Sequence, residues 1–190
     1  MNEAQEVVRF WLEEVGRDGW YTANEDVDEK IRSNFGSLWE RARDGALLDW
    51  CETPEGTLGY LILTDQFPRN MFRGDPRAFD TDAAARAVAR TAVGRGQDLM
   101  IDEPQRVFFY MPFEHSEQME DQDFAVDLIS RNLPRTGEGF ALHARAHREV
   151  ILRFGRFPFR NEALGRVSSP DERAFLESGG YGAIVRALES

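Results

Sequence analysis

The sequence has very few cysteines and lysines. Its single cysteine, Cys51, excludes an internal disulfide framework and is typical of a protein kept in a reducing cytoplasm. We interpret Cys51 as a small apolar residue beside Trp50 rather than as a reactive thiol. The only lysine is Lys30, against 22 arginines, so nearly every cation of the chain can make a planar, bidentate contact with a carboxylate or a phosphate.

Long apolar runs are also absent. No stretch approaches the roughly 18 consecutive apolar residues that a membrane-spanning helix needs. Residues 1–15 carry acidic side chains and an amphipathic pattern where a signal peptide would have basic residues and an apolar block. The formal net charge of −11 opposes binding to nucleic acid or to an anionic membrane. We therefore expect a cytoplasmic protein that binds neither nucleic acid nor membrane.

Strand patterns are missing as well. No segment alternates apolar and polar residues with β-branched enrichment, which predicts an all-α fold. Apolar residues recur at helical spacing in about eight segments joined by short loops, which indicates an array of antiparallel neighbouring helices. The length of 190 residues favours a single domain over 1–190, and the 42% apolar content is enough for a sizeable core.

Several helix boundaries follow from capping residues and breakers. Asp26 is the predicted N-cap of a helix over 27–44, and Asp75 is the predicted N-cap of a helix that restarts at Pro76. Further along the chain, the apolar spacing predicts helices over 116–132 and 140–154 and a last helical turn at 184–188.

The segment LGYLILTDQFPRN changes from an apolar helix into a polar cluster. Asp65 and Arg69 follow its apolar face at helical spacing. Pro68 cannot donate a hydrogen bond to the carbonyl oxygen of Thr64, which predicts a kink or a stop near Phe67. We expect the freed backbone group to lie beside the polar residues.

Two later helices also carry polar residues within their apolar stripes. Gln122 lies in one of these stripes, and His143 and His147 lie in the other. Burying such groups unpaired would cost a few kcal/mol each, so they should find one another or face a cavity. Our hypothesis is that Asp65 and His147 come together in one polar cluster.

Three blocks of the sequence carry a resemblance to a known family: LTDQFPRNMFRGDPRAFDTD, FFYMPFEHSEQMEDQ and HREVILRFGRFPFRNEALGR. They resemble the bacterial family called domain of unknown function 924, from about Val7 to Leu176. The resemblance implies a helical fold related to tetratricopeptide-repeat-like superhelices, and it implies no established activity. This chain has Phe113 where the family tends to have Leu, and Phe159 where it often has His. A mechanism that needs a histidine at position 159 therefore does not apply here.

The candidate site draws on all three blocks. The catalytic candidates are Asp65, Glu114, His115 and His147. The ligand-binding candidates are Gln66, Arg69, Asn70, Arg73, Glu117, Gln122, His143, Arg153, Arg156, Arg160 and Asn161.

Two interpretations of this set involve no chemical reaction. One is a buried network of salt bridges and hydrogen bonds that fixes helix register. The other is a pocket for a small anionic ligand or a peptide carboxylate, since residues 143–166 hold six arginines and only two glutamates. Among functions, we favour this helical binding or interaction module, with an arginine-rich pocket.

The other two interpretations are enzymatic. His143 and His147 are four residues apart, a spacing that can chelate one metal ion, but neither an HExxH motif nor a paired Glu-x-x-His motif is present. We therefore predict no metal site. Acid–base catalysis would use Glu114, His115 or His147 as proton carriers.

The alternative function is thus a small hydrolase-like or metal-dependent enzyme at Glu114, His115, His143 and His147. The sequence does not decide whether the protein is an enzyme. It contains neither a GxxxxGKS loop nor a GxGxxG motif between a strand and a helix, and we expect no cofactor.

Overall fold

The computed structural model describes residues 2–189, and all regular structure in this range is helical, so the all-α prediction is confirmed. The chain divides after Pro112 into two compact units. The single domain expected from chain length and the repeat-like arrangement implied by the resemblance stay predictions. Across residues 2–189, no helix combines the length and the apolar character needed to cross a membrane.

The first unit is built from α-helices joined by wider and tighter helical turns. Its α-helices are α1 (Glu3–Arg9), α2 (Gly16–Gly19), α3 (Glu25–Arg43), α4 (Pro54–Leu61), α5 (Phe67–Met71) and α6 (Asp82–Gly94). Two π-helical turns, Phe10–Val15 and Ile62–Gln66, follow α1 and α4 directly. The 3₁₀ turns are Leu48–Glu52, Pro76–Phe79, Asp98–Met100 and Gln105–Phe109. The short helix α7 (Met111–Glu114) lies where the first unit ends.

Helix α3 begins earlier than predicted. The side-chain oxygen of Asn24 accepts hydrogen bonds from the backbone N–H groups of Asp26 and Val27, at 2.9 and 3.2 Å. Asn24 is therefore the N-cap, and the assignment of this role to Asp26 was wrong. Asp75 does cap the turn at Pro76 as predicted. The predicted apolar face of α3 is buried and consists of Ile31, Phe35, Leu38 and Ala42.

The interruption predicted near Phe67 is the π-helical turn Ile62–Gln66, after which α5 begins at Phe67. Pro68 has no N–H to donate to the carbonyl oxygen of Thr64. This oxygen instead accepts a hydrogen bond from the Thr81 hydroxyl at 2.5 Å. A side chain thus supplies the donor that proline removes.

Aromatic rings fill the core of the first unit. The rings of Phe10, Phe35 and Phe67 pack with centroid distances of 5.1, 6.0 and 5.0 Å. Helix α1 approaches α4 so closely that a Cβ atom on Gly59 would lie 2.9 Å from the backbone oxygen of Ala4. Only glycine fits at this crossing.

The thiol of Cys51 is poorly suited to act as a nucleophile. Burial, with a smaller contribution from the charge of Asp49, raises the pKa of Cys51 to about 11. The reactive form of a cysteine is the thiolate, which is scarce at neutral pH when the pKa is this high. The raised pKa agrees with the interpretation of Cys51 as an apolar packing residue.

The second unit contains α8 (Met119–Asn132), α9 (Gly137–Phe154), α10 (Pro170–Glu177) and α11 (Gly180–Glu189), with a 3₁₀ turn at Pro158–Arg160. Helix α9 ends at Gly155, whose left-handed φ of 68° suits glycine. The last helix has ten residues and is longer than the single turn that the sequence predicted. The apolar core of the second unit joins α9, α10 and α11, and it contains Ala146, Val150, Ile151, Phe157, Phe175 and Ile184.

Candidate functional site

Two polar residues of the Ile62–Gln66 turn, Asp65 and Gln66, are buried and bonded to each other. Asp65 is 1% exposed and accepts a hydrogen bond from Gln66 Nε2 at 2.6 Å. Arg69 donates to the backbone oxygen of Asp65 and binds both carboxylate oxygens of Asp82, at 3.0 and 3.1 Å. Asp82, which the sequence analysis did not single out, is therefore the bidentate partner of Arg69.

A second carboxylate holds the residues that follow. Arg73 donates to both oxygens of Asp28, at 2.5 and 3.0 Å, and Asn70 Nδ2 donates to the same carboxylate at 2.7 Å. Burial alone would raise the pKa of Asp28, but the hydrogen bonds from Arg73 and Asn70 outweigh it, and the pKa is lowered. Asp28 stands three residues before Ile31 on the buried face of α3, a spacing that could have identified it.

In the second unit, Glu172 holds the segment that follows α9. It accepts two hydrogen bonds from Arg156, at 2.6 and 2.9 Å, and one from the backbone N–H of Ser169 at 2.7 Å. Arg156 and then this N–H lower the pKa of Glu172 to about 2. Asn161 Nδ2 also donates to Glu172, at 3.3 Å. The S-x-x-E pattern of a capping box, Ser169 to Glu172, is a sequence signal that the analysis had not used.

Glu117 anchors the same segment from another side. It accepts two hydrogen bonds from Arg166, at 2.8 and 2.9 Å, and one from the backbone N–H of Phe157 at 2.8 Å. Burial opposes ionisation of Glu117, but Arg166 and the Phe157 N–H outweigh it and lower the pKa. Glu117 is therefore a structural clamp for the turn that carries Phe157 and Phe159.

The remaining predicted arginines of the second unit also have partners. Arg153 donates to Glu149 at 2.7 Å on the exposed face of α9. Arg160 is buried, donates to the backbone oxygen of His115 at 3.0 Å, and places its guanidinium 4.5 Å from the ring centre of Phe157. These contacts use guanidinium groups that the sequence analysis had assigned to a ligand.

Gln122 fixes the backbone that carries the predicted proton carriers. It is fully buried in α8, and its Nε2 donates to the carbonyl oxygens of Glu114 and Ser116 at 2.6 and 2.7 Å, and to that of Phe113 at 3.4 Å. The predicted core position of Gln122 is confirmed. Its partners are backbone groups rather than the histidines.

A group that we call the histidine cluster consists of Glu114, His115, His143, His147 and Tyr181. It brings together all three histidines of the chain. Glu114 Oε2 lies 3.4 Å from His147 Nδ1, and the ring of His115 meets that of His147 edge-on at 5.9 Å. The Tyr181 hydroxyl lies 2.7 Å from His143 Nδ1 and 3.5 Å from His147 Nδ1.

The contacts of His147 indicate its tautomer. Its Nδ1 lies 3.0 Å from the carbonyl oxygen of His143, which can only accept a hydrogen bond, so Nδ1 carries the proton. Glu114 Oε2 stands near the same nitrogen. In the neutral ring Nε2 is then the basic nitrogen, and it makes no hydrogen bond to any of residues 2–189.

Glu114 is the least satisfied member of the cluster. Its side chain is 4% exposed, and Oε1 has no hydrogen-bond partner among the described residues. Buried carboxylate oxygens usually accept hydrogen bonds, because losing water without a replacement is costly. Glu114 therefore retains an unused acceptor beside His147.

His143 does not face the core, and the prediction that placed it there was wrong. His143 is exposed on α9, and its ring stacks on that of Tyr181 with a centroid distance of 6.0 Å. Partial burial and then the neighbouring His147 lower the pKa of His143. Burial and then the charge of Glu114 raise the pKa of Tyr181, so its hydroxyl keeps its proton.

Aromatic rings border the histidine cluster on one side. The Phe157 ring is 5.7 Å from that of His147 and 5.2 Å from that of Phe159. Phe159, at the position where the resembled family often has histidine, is 45% exposed. Its ring centre lies 6.4 Å from that of Tyr181. Tyr181 was missed because it lies before the last helical turn that the sequence predicted, at 184–188.

The structure gathers part of the predicted site in each unit. Asp65, Gln66, Arg69, Asn70 and Arg73 belong to the first unit, and the other candidates belong to the second. The hypothesis that Asp65 meets His147 stays a prediction. In the part of the chain that the structure describes, no group of three or more His, Cys, Asp or Glu side chains is placed to hold a metal ion.

Comparison with known proteins gives a family and a fold but no activity. A solved structure of a protein of unknown function from Agrobacterium tumefaciens is similar to this chain, with 40% sequence identity and a TM-score of 0.86. The similarity covers 92% of this chain and 97% of that one. No curated protein matches. The family model described as bacterial protein of unknown function (DUF924) matches residues 7–180. The chain therefore belongs to the DUF924 family.

Proposed function

We propose that this protein is a helical ligand-binding module and that the histidine cluster of the second unit is its binding site. The supporting observation is the buried, unpartnered Oε1 of Glu114. A ligand that donates a hydrogen bond to this oxygen would remove the cost of leaving it unsatisfied. The bonds from Gln122 and Arg160 to the backbone of this segment hold the site in place before a ligand arrives.

The sequence favours a small anion or a peptide carboxylate as the ligand. The excess of arginines over residues 143–166 supports this form of the proposal. The anion would, however, have to compete with Glu149 for Arg153, with Glu172 for Arg156 and with Glu117 for Arg166. A ligand screen should therefore contain cations and neutral molecules as well as anions.

The imidazole NMR signals offer a direct test, because every histidine of the chain lies in the cluster. A library of small anions, amines and neutral polar molecules is added to the 13C-labelled protein, and the histidine ring signals are followed. We expect at least one class to shift the signals of His147 and His115 in a saturable way. The response should weaken in Glu114→Gln, which removes the charge of the unpartnered group.

Glu120→Gln is the matched control, since Glu120 is exposed and the substitution changes the net charge by the same amount. Saturable binding that leaves all histidine signals unmoved would place the site elsewhere and contradict the proposal. A full library without any saturable response would contradict it as well.

A second candidate function is acid–base catalysis at the same cluster. The specific observation is that Glu114 Oε2 lies 3.4 Å from His147 Nδ1, while the hydrogen bond from Nδ1 to the carbonyl oxygen of His143 leaves Nε2 as the basic nitrogen. A carboxylate that orients a histidine in this way can support proton transfer. The enzyme is favoured over the simple binding module if the wild-type protein converts a ligand from the library into a product. The His147→Gln variant should then bind this ligand but no longer convert it.

A further inference from the structure

The unsatisfied groups around the histidine cluster are mostly acceptors. Glu114 Oε1 is buried without a donor, and so is Oε1 of Gln122, whose amide nitrogen binds the Glu114 backbone. His147 presents Nε2, a third acceptor in the neutral ring, and its side chain is 17% exposed. A ligand that complements these atoms must bring hydrogen-bond donors.

Two of the nearby arginines, Arg156 and Arg166, are already paired with carboxylates, and Arg160 donates to the backbone oxygen of His115. Arg156 is bidentate to Glu172, and Arg166 is bidentate to Glu117, although its Nε is a buried donor without a partner among residues 2–189. An anion would gain little from guanidinium groups that are neutralised in this way. The overall charge of −11 also attracts cations and repels anions.

The aromatic border suits an alkyl chain that ends in a cation. Phe159 is 45% exposed and packs against Phe157 and near Tyr181. The guanidinium of Arg160 already lies 4.5 Å from the ring centre of Phe157, so the alkyl chain of a ligand, and not its charged end, would lie on the outer ring of this border. A methylene chain on the outer rings would bury apolar surface on both partners.

We propose that the ligand of the histidine cluster is a primary aliphatic amine in its ammonium form, which donates an N–H to Glu114 Oε1 while its alkyl chain packs on Phe159. This inference rests on the binding function proposed above and specifies its ligand class. It replaces the anionic ligand that the sequence favours, because the unpartnered side-chain oxygens of Glu114 and Gln122 can only accept hydrogen bonds.

Three four-carbon probes test the inference: 1,4-diaminobutane, 1,4-butanediol and butanedioate. Each is titrated into the wild-type protein while the histidine ring signals are recorded. We expect 1,4-diaminobutane to shift the signals of His147 and His115 to saturation. The diol should bind at least about tenfold more weakly, as expected when a charge-assisted hydrogen bond is lost, and butanedioate should give no response.

Variants locate the interaction. Glu114→Gln should weaken binding of 1,4-diaminobutane by at least about tenfold, and Glu114→Asp should restore part of it because the charge is kept. Phe159→Ala should weaken binding of the diamine, and Glu120→Gln should leave it unchanged. Circular dichroism shows which variants remain folded. If Phe159→Ala does not fold, the comparison of Glu114→Asp with Glu114→Gln still tests the role of the carboxylate.

The outcomes separate the ligand class from the function. Saturable binding of butanedioate at the histidines, without a response to 1,4-diaminobutane, overturns the amine inference and leaves the binding function standing. Equal binding of the diamine by wild type and folded Glu114→Gln also overturns it. If none of the three probes binds, the amine inference fails, and the binding function is judged by the broader library.

Discussion

The bonds that Glu172 accepts make a quantitative prediction about the second unit. Replacing Glu172 by glutamine keeps the size of the side chain and removes its charge. Two charge-assisted hydrogen bonds from Arg156 are lost or weakened, and the new amide N–H₂ faces the N–H groups of Arg156 or Ser169. The substitution also loosens the capping box that begins α10.

The size of the effect follows from the contacts. A hydrogen bond to a charged group contributes about 1.5–3 kcal/mol, but the Arg156 side chain is 32% exposed and regains water when the bond breaks. We therefore expect Glu172→Gln to lower the free energy of unfolding by about 2–4 kcal/mol. At about 2–4 °C per kcal/mol for a chain of this size, the melting temperature should fall by about 4–16 °C.

The pH dependence gives an independent check of the same interaction. The pKa of Glu172 is lowered from 4.5 to about 2, so the ionised carboxylate is favoured by folding. Its contribution is fully present above about pH 4.5 and is lost as the pH falls toward 2. The difference in stability between wild type and Glu172→Gln should therefore be constant near neutral pH and shrink in acid.

Glu149→Gln is the control for the loss of one negative charge. Glu149 pairs with Arg153 four residues away on α9, and both side chains are substantially exposed, so the cost should stay within about 0.5 kcal/mol. Urea and thermal unfolding measure both variants over the pH range 2–8. Equal stability of Glu172→Gln and Glu149→Gln at neutral pH would refute the assigned role of Glu172.

Two further substitutions probe the buried polar residues. Gln122→Leu should lower the free energy of unfolding by about 3 kcal/mol, because the carbonyl groups of Glu114 and Ser116 lose the donor that Gln122 supplies, and it should shift the ring signal of His115. An unchanged melting temperature and spectrum would contradict this. Arg69→Ala should cost about 3–5 kcal/mol, measured by urea unfolding, since it removes the guanidinium that lies beside the buried Asp65 and binds the carboxylate of Asp82. Full stability of this variant would exclude a structural role for the Asp65 network.

Local chemistry made much of the fold predictable. The absence of alternating patterns indicated helices only, and the burial of Asp65 and Gln122 followed from their positions in apolar stripes. The missing donor of Pro68 predicted an interruption and a freed carbonyl beside the polar residues, which is where the Thr81 hydroxyl binds Thr64. Each of these features depends on residues within a few positions of one another.

The partners of the charged groups were less accessible to sequence reasoning. Arg73 is bonded to Asp28, 45 residues away, and His143 contacts Tyr181, 38 residues away. Spacing along one helix shows that a group needs a partner, but it does not show which distant helix supplies it. The excess of arginines therefore suggested an anion site, because the carboxylates that neutralise Arg156 and Arg166 come from other segments.

The crossing of α1 and α4 at Gly59 has a consequence for how the first unit can come apart. Backbone lies against backbone there, and a single added methyl group would act as a wedge against Ala4. Since α1 carries the buried Val7, displacement of α1 from α4 would expose apolar surface on both helices. The amino-terminal helix would then be the place where a protease first gains entry.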